Sequence, residues 1–113
     1  MTDKTNVELT PAYLRKIADE ANRKKKIRFE KTVCKCVADN VDAIDNLLNA
    51  YAIEGKYEMN SSINICDKKY TDNIGEFDID EFEEAVIKNL KSIYVEKGFR
   101  VPDTQSNYFK LGW

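Results

Sequence analysis

Residues 77–98 read FDIDEFEEAVIKNLKSIYVEKG, and this stretch decides the fold. Asp78 can accept hydrogen bonds from the backbone N–H groups of a first helical turn, and Glu81 can reach back to the Asp78 N–H. Apolar residues then recur at helical spacing, at Phe82, Val86, Leu90 and Ile93. Gly98 can adopt the left-handed conformation that ends a helix. The pattern therefore predicts a helix with a capped start, one buried face and a defined end.

The pattern before this stretch predicts two N-terminal helices. The first has Thr10 as its cap and proline at its first helical position, and it covers about residues 11–22. A basic run at residues 23–28 follows, and we place a break there because four consecutive cations are unfavourable neighbours in a helix. Since Lys and Arg are good helix formers, one continuous helix is the alternative. The second helix covers about residues 29–53, where apolar residues recur at steps of three and four, and it ends at Gly55.

Three short segments have the pattern of β-strands. Residues 56–65 alternate between apolar and polar side chains, which predicts a strand with one face on the core and the other in water. Residues 66–76 read as a polar loop. Residues 99–101 and 108–113 predict two further strands, paired as an antiparallel hairpin around a turn at 102–107. The predicted fold class is α+β: two N-terminal helices, then β-α-β-β, with a small three-stranded sheet packed on the helices.

The length of 113 residues predicts one domain with a single core over residues 1–113, of which 1–9 are a flexible lead-in. The formal net charge is −2, but the charge is unevenly distributed. Residues 1–31 hold nine Lys or Arg against five Asp or Glu, whereas residues 32–113 hold nine against fifteen. No segment resembles a signal peptide or has the length of a membrane span. We therefore expect a cytoplasmic protein with reduced cysteines and no membrane partner.

The sequence contains little that indicates a catalytic or metal-binding site. The chain has no histidine, which is the commonest general base at neutral pH and the commonest metal ligand. Three cysteines fall short of the four ligands of a structural zinc site, and Cys34 and Cys36 would point about 200° apart on a helix. Residues 70–81 partly match a calcium-binding loop, but tyrosine and isoleucine stand at two positions that need oxygen ligands. We expect no enzyme, no catalytic residue, no cofactor and no metal.

The basic segment 23–31 is the best candidate site on chemical grounds. Six of its nine residues are cationic, and such side chains can contact phosphates. The residues that we assign to phosphate contacts are Arg23, Lys24, Lys25, Lys26 and Arg28. The alternative is a solvated helix end or linker whose charges balance the acidic remainder of the chain.

An acidic block at residues 72–84 is the second candidate, with seven carboxylates and no Lys or Arg. It can meet a basic surface of a partner. The alternative is the ordinary preference for acids at a helix N-terminus, which explains Glu83 and Glu84 less well than the acids before them. We assign Asp80, Glu83 and Glu84 to an acidic helix face that binds a partner.

The C-terminal part of the chain resembles small accessory proteins of bacteriophages and prophages. The resemblance lies in the strand entry GKY at 55–57, the KGFRV at 97–101 that follows the helix, and the terminal strand YFKLGW at 108–113. It covers the layout of about residues 45–113 and departs at the polar loop 66–76 and at the glycine of the last strand. The resemblance implies phage or prophage origin. Such proteins include binders that disarm host defences and virion accessories.

The resulting hypothesis is a small non-enzymatic accessory protein that binds a host macromolecule, with a host protein as the first partner and inhibition of a host defence as the role. One alternative is a nucleic-acid-binding protein that uses the basic segment 23–31. The other is a virion or assembly subunit, which would be an oligomer.

Overall fold

The computed structural model describes residues 9–65, 67–102 and 108–113. It confirms a mixed helical and strand architecture. In chain order the elements are α1 (Pro11–Ile53), β1 (Glu58–Ser62), α2 (Lys68–Thr71), α3 (Ile79–Glu96) and β2 (Tyr108–Gly112). Along the described residues, none of the helices combines the length and the apolar character needed to cross a membrane.

One continuous helix, α1, replaces the two predicted N-terminal helices. It has 43 residues and runs through the basic segment, so the break placed at 23–28 is wrong. The Thr10 hydroxyl accepts a hydrogen bond from the Tyr13 N–H at 3.1 Å, which caps the first turn as predicted. Lys and Arg have high helix propensity and their side chains here reach water, so the consecutive cations do not interrupt the helix.

The first part of α1 projects from the rest of the molecule. Residues 11–28, which we call the arm, are exposed apart from the half-buried Tyr13. At about 1.5 Å per residue α1 is roughly 65 Å long, which accounts for most of the longest dimension. That dimension is 77 Å, against 23 and 20 Å for the other two. We call the remainder of the described structure the body.

The helix predicted around residues 77–98 is α3. The Asp78 carboxylate accepts a hydrogen bond from the Asp80 N–H at 3.1 Å, and Gly98 has a φ of 93°. The Gly98 and Phe99 N–H groups donate to the carbonyls of Val95 and Tyr94, both at 3.0 Å. These are the two hydrogen bonds of a Schellman motif, and the left-handed conformation they require favours glycine. The Asp78 cap, the glycine end and the buried positions Phe82, Val86 and Leu90 are therefore confirmed, whereas Ile93 is only half-buried.

Only two strands form along the described residues, so the predicted three-stranded sheet is not confirmed. β1 and β2 pair antiparallel, with Met59 opposite Leu111. Arg100 makes one isolated bridge to Gly112, with both N–H···O distances at 2.9 Å. The helix ends at Gly98 and Pro102 has no N–H, so little room remains for a longer strand. The predicted turn at 102–107 lies largely outside the described residues.

The core joins both long helices and the sheet. Aromatic rings connect them at one end: the Phe29 ring of α1 lies 4.4 Å from Phe77 and 6.0 Å from Phe82, centroid to centroid. The fully buried side chains include Cys36, Ile44, Met59, Ile65, Tyr70, Phe82, Val86, Leu90, Tyr94, Phe109 and Leu111. Their spread over every element explains why the body holds together although α1 extends far beyond it.

Two parts of the body were not predicted. The polar loop 66–76 contains α2, which begins after Asp67, whose carboxylate accepts from the Lys69 N–H at 3.1 Å. The buried Asn40 side chain pairs with the backbone of Asn64: its amide donates to the Asn64 carbonyl at 3.1 Å, and its oxygen accepts from the Asn64 N–H at 3.0 Å. This pairing fixes the segment that follows β1 against α1.

Candidate nucleic-acid interface

One face of α1 carries a row of cations. They recur at steps of four, three and four residues, the spacing of neighbours on one helical face: Lys24, Arg28, Lys31 and Lys35. All four are exposed. At about 100° per residue, this face lies opposite the one that buries Val33, Val37 and Ile44. The core packing of α1 therefore turns the row of cations toward solvent.

Lys69 of α2 extends this row. Eight residues line a shallow depression beside α1, namely Lys24, Ile27, Arg28, Lys31, Thr32, Lys35, Lys69 and Asn73. Five of them are cationic and none is acidic. We call Lys24, Arg28, Lys31, Lys35 and Lys69 the basic stripe. Its elongated shape and mainly positive charge, with Asp39 as a carboxylate beside Lys69, suit an extended polyanion.

A carboxylate beside Lys69 accepts a hydrogen bond from α2. Asp39 lies 3.8 Å from the Lys69 ammonium and accepts a hydrogen bond from the buried Tyr70 hydroxyl at 2.6 Å. The Tyr70 hydrogen bond, with help from Lys35 and Lys69, lowers the pKa of Asp39 despite some desolvation. Burial and the same hydrogen bond raise the pKa of Tyr70. Asp39 thus stays ionised and Tyr70 protonated, and their hydrogen bond joins α2 to α1.

The five residues assigned to phosphate contacts separate in the structure. Lys24 and Arg28 belong to the basic stripe. Lys25 pairs with Glu76 at 3.2 Å, and Arg23 pairs with Glu20 at 3.3 Å. Lys25 and Lys26 line another groove together with the Phe29 and Phe77 rings and four carboxylates, those of Glu30, Glu76, Asp78 and Glu81. A run that is continuous in the sequence is therefore distributed around the helix.

Three members of the basic stripe were not among the residues assigned from the sequence. Lys31 lies within the basic segment 23–31 but was not assigned to a phosphate contact. Lys35 could have been found by extending the helical spacing from Lys24, Arg28 and Lys31. Lys69 lies 34 positions beyond Lys35, and only the packing of α2 on α1 brings it there. No local pattern in the sequence signals this contact.

The acidic residues assigned to a partner-binding face share one side of α3. Asp80 and Glu84 are exposed and Glu83 is half-buried, and the three project within about 100° of one another. Lys88 and Lys91 follow along the same helix. Because Glu76 of the acidic block pairs with Lys25, part of that block is used within the molecule.

The cysteines and carboxylates show no metal-binding arrangement in the described part of the chain. Cys34 is exposed, whereas Cys36 is buried and its thiol donates to the Asn64 carbonyl at 3.4 Å. Burial raises the pKa of Cys36 to about 11, so this thiol is a poor nucleophile at neutral pH. Within residues 9–65, 67–102 and 108–113, no group of three or more His, Cys, Asp or Glu side chains is placed to hold a metal ion.

Comparison of the chain with protein-family models, with curated proteins and with solved structures finds no match.

Proposed function

We propose that the protein is a non-enzymatic binding protein whose basic stripe binds the phosphate backbone of a nucleic acid. The observation that carries this proposal is the depression lined by five cations and no acid. Lys24 and Lys35 are about 16 Å apart along the axis of α1, so the stripe can span several successive phosphates. Contacts of this kind supply most of the affinity of non-specific nucleic-acid binding.

The net charge of −2 does not oppose this function, because the charges are segregated. Residues 9–35 hold nine Lys or Arg against three Asp or Glu. The Debye length is about 8 Å at physiological ionic strength, so exposed carboxylates far from the stripe are largely screened from a ligand bound there. The local positive field then determines the encounter with a polyanion.

The Lys24→Ala/Lys31→Ala double variant is expected to weaken binding to a labelled nucleic acid by about ten-fold or more in fluorescence anisotropy, since it removes two phosphate contacts. Lys88→Ala/Lys91→Ala has the same net charge but changes α3, and it should bind within about two-fold of the wild type.

For wild-type protein on duplex DNA, the slope of log K against log salt concentration should be about −4 to −5 if all five cations contribute.

Equal losses in the two double variants would contradict the proposal, because they would show a dependence on net charge alone. An absence of any complex at about 50 mM salt would also contradict it.

A second candidate function rests on Asp80, Glu83 and Glu84. These carboxylates lie on one side of α3, and the resemblance to phage accessory proteins suggests a basic host protein as the partner, with inhibition of a host defence as the outcome. Such a face would act through charge complementarity, which sets partner choice and association rate.

The variant with Asp80→Lys, Glu83→Lys and Glu84→Lys is expected to lose capture of a bacterial host protein from lysate while keeping its unfolding temperature within a few degrees. The control is Glu54→Lys, which changes an exposed carboxylate at the end of α1. Capture is measured by mass spectrometry of the retained proteins. Unchanged capture by the α3 variant would contradict this candidate.

A further inference from the structure

We infer that the arm of α1 lies in the major groove of double-stranded B-form DNA, while the basic stripe follows the adjoining backbone. This inference rests on the proposed function and narrows its ligand from nucleic acid in general to duplex DNA.

The arm has the dimensions of a groove-binding element. It is the first 18 residues of α1, from 11 to 28. The last seven of these, residues 22–28, lie beside the body, where Lys25 pairs with Glu76. The length of the arm is about 27 Å and its diameter with side chains about 10–12 Å. The major groove of B-DNA is about 12 Å wide and admits one α-helix. Residues 11–21, about 16 Å of helix, can therefore enter the groove without any rearrangement of the body.

The cations of the arm surround the helix instead of lying on one side. Lys24, Lys25 and Lys26 follow one another at about 100° each, so they cover most of the circumference. A helix in the major groove has a phosphate backbone on either side. Cations on two sides of the helix can contact these two backbones. A ligand that touches only one side of the helix would contact only some of these cations. Near the body, Glu30, Glu76, Asp78 and Glu81 line the same groove as Lys25 and Lys26, and the exposed Lys25–Glu76 pair is worth about 1 kcal/mol or less.

Small and apolar residues form a line between the two sides that carry these cations. Leu14, Ile17 and Ala21 share one side of the arm, and the first two are 49% and 50% exposed. Around the helix axis, this side lies between the direction in which Lys24 points and the direction in which Lys25 points. Arg28 lies on the same side, nearer the body. Apolar side chains can contact the thymine methyl group, and Arg can pair with the guanine edge in the major groove. If Lys24 and Lys25 point to the two phosphate backbones, the side that carries Leu14, Ile17 and Ala21 faces the bases between them.

The same features disfavour other nucleic acids. Proteins that bind single strands stack the bases on exposed aromatic side chains, whereas the aromatic residues on or beside the arm, Tyr13, Phe29 and Phe77, are all half-buried. The major groove of A-form RNA is too narrow and deep for side chains to read. Duplex DNA is therefore the ligand that the arm fits.

The test measures binding of the full chain to three labelled probes of one sequence: duplex DNA, single-stranded DNA and duplex RNA. We expect the duplex DNA to bind at least about ten-fold more tightly than the other two. Two variants test the orientation of the arm. Ala21→Glu places a carboxylate on the base-facing line, whereas Ala12→Glu places the same charge on the opposite side of the same helix. Both alanines are exposed, so thermal unfolding should be unchanged.

Ala21→Glu is expected to weaken duplex binding by about ten-fold more than Ala12→Glu. Equal losses in the two variants, or equal binding of the single strand or the duplex RNA, would overturn the inference and leave the proposed function standing. If no probe binds, the proposed function fails as well. A dimer in analytical ultracentrifugation that Ala21→Glu dissociates would assign this face to a second copy of the chain and overturn the inference.

Discussion

Replacement of Phe82 by alanine is expected to lower the free energy of unfolding by about 3–5 kcal/mol. The Phe82 side chain is fully buried, and its ring packs between elements far apart in the sequence. Its centroid lies 6.0 Å from the ring of Phe29 in α1 and 6.2 Å from that of Tyr70 in α2. Truncation removes apolar burial and leaves a cavity among residues of three helices that cannot all move inward. Because domains of this size are stable by about 5–15 kcal/mol, this loss is a large fraction of the total.

Urea denaturation followed by circular dichroism measures this loss as a lower midpoint with an unchanged slope. Tyr57→Ala is the control, since this aromatic ring is 72% exposed and its removal should cost within about 0.5 kcal/mol. A cost below about 1.5 kcal/mol for Phe82→Ala would contradict the packing of α1, α2 and α3 described above.

The parts of the fold that were predicted from the sequence are those whose signals are local. The cap of α3, its apolar spacing and its glycine end all lie within residues 77–98, and each has its expected role in the structure. The alternation at 56–65 likewise locates β1, although the strand is shorter and ends at Ser62. A local pattern suffices where one element supplies its own start, face and end.

The parts that were missed depend on contacts between distant residues or on small energies. Repulsion between neighbouring cations on a helix is worth only a few tenths of a kcal/mol per pair, so it did not outweigh helix propensity at residues 23–28. The third strand was predicted from side-chain alternation, but a strand forms only where its backbone pairs with a neighbouring strand. Among residues 99–101, only Arg100 makes such a pair, with Gly112. The position of α2 depends on the Tyr70–Asp39 hydrogen bond, which joins residues 31 positions apart.

The residues of the basic stripe could be grouped only in part from the sequence, because this grouping depends on helix geometry and on a contact between distant residues. The basic run contains Lys24 and Arg28 of the basic stripe, but residues that are adjacent in the sequence point about 100° apart on a helix. Residues three or four positions apart are the neighbours on a helical surface, and this rule groups Lys24 and Arg28 with Lys31 and Lys35. The arm could not be predicted as a free helix, because its exposure follows from the size of the body and not from its own residues.

Replacement of Asn40 by alanine is expected to cost about 2–4 kcal/mol of unfolding free energy. The Asn40 amide donates to the Cys36 carbonyl at 2.8 Å and to the Asn64 carbonyl at 3.1 Å, and its oxygen accepts from the Asn64 N–H at 3.0 Å. Alanine supplies none of these hydrogen bonds. The Asn64 N–H then loses its side-chain partner, and the Asn64 carbonyl keeps only the weaker Cys36 thiol donor at 3.4 Å.

The control for this variant is Asn49→Ala, which changes an exposed asparagine of the same helix and should leave stability within about 0.5 kcal/mol.

Asn40→Asp provides a further check, because it keeps the shape but directs a carboxylate at two carbonyl oxygens. Burial and those oxygens favour the protonated acid in the folded state, which raises its pKa above the unfolded value. The folded state then binds the proton more tightly, so the stability of this variant relative to the wild type should rise as the pH falls from 7 toward 5. Thermal unfolding measured across this range tests the sign, and a relative stability that falls with decreasing pH would contradict the hydrogen-bond arrangement at Asn40.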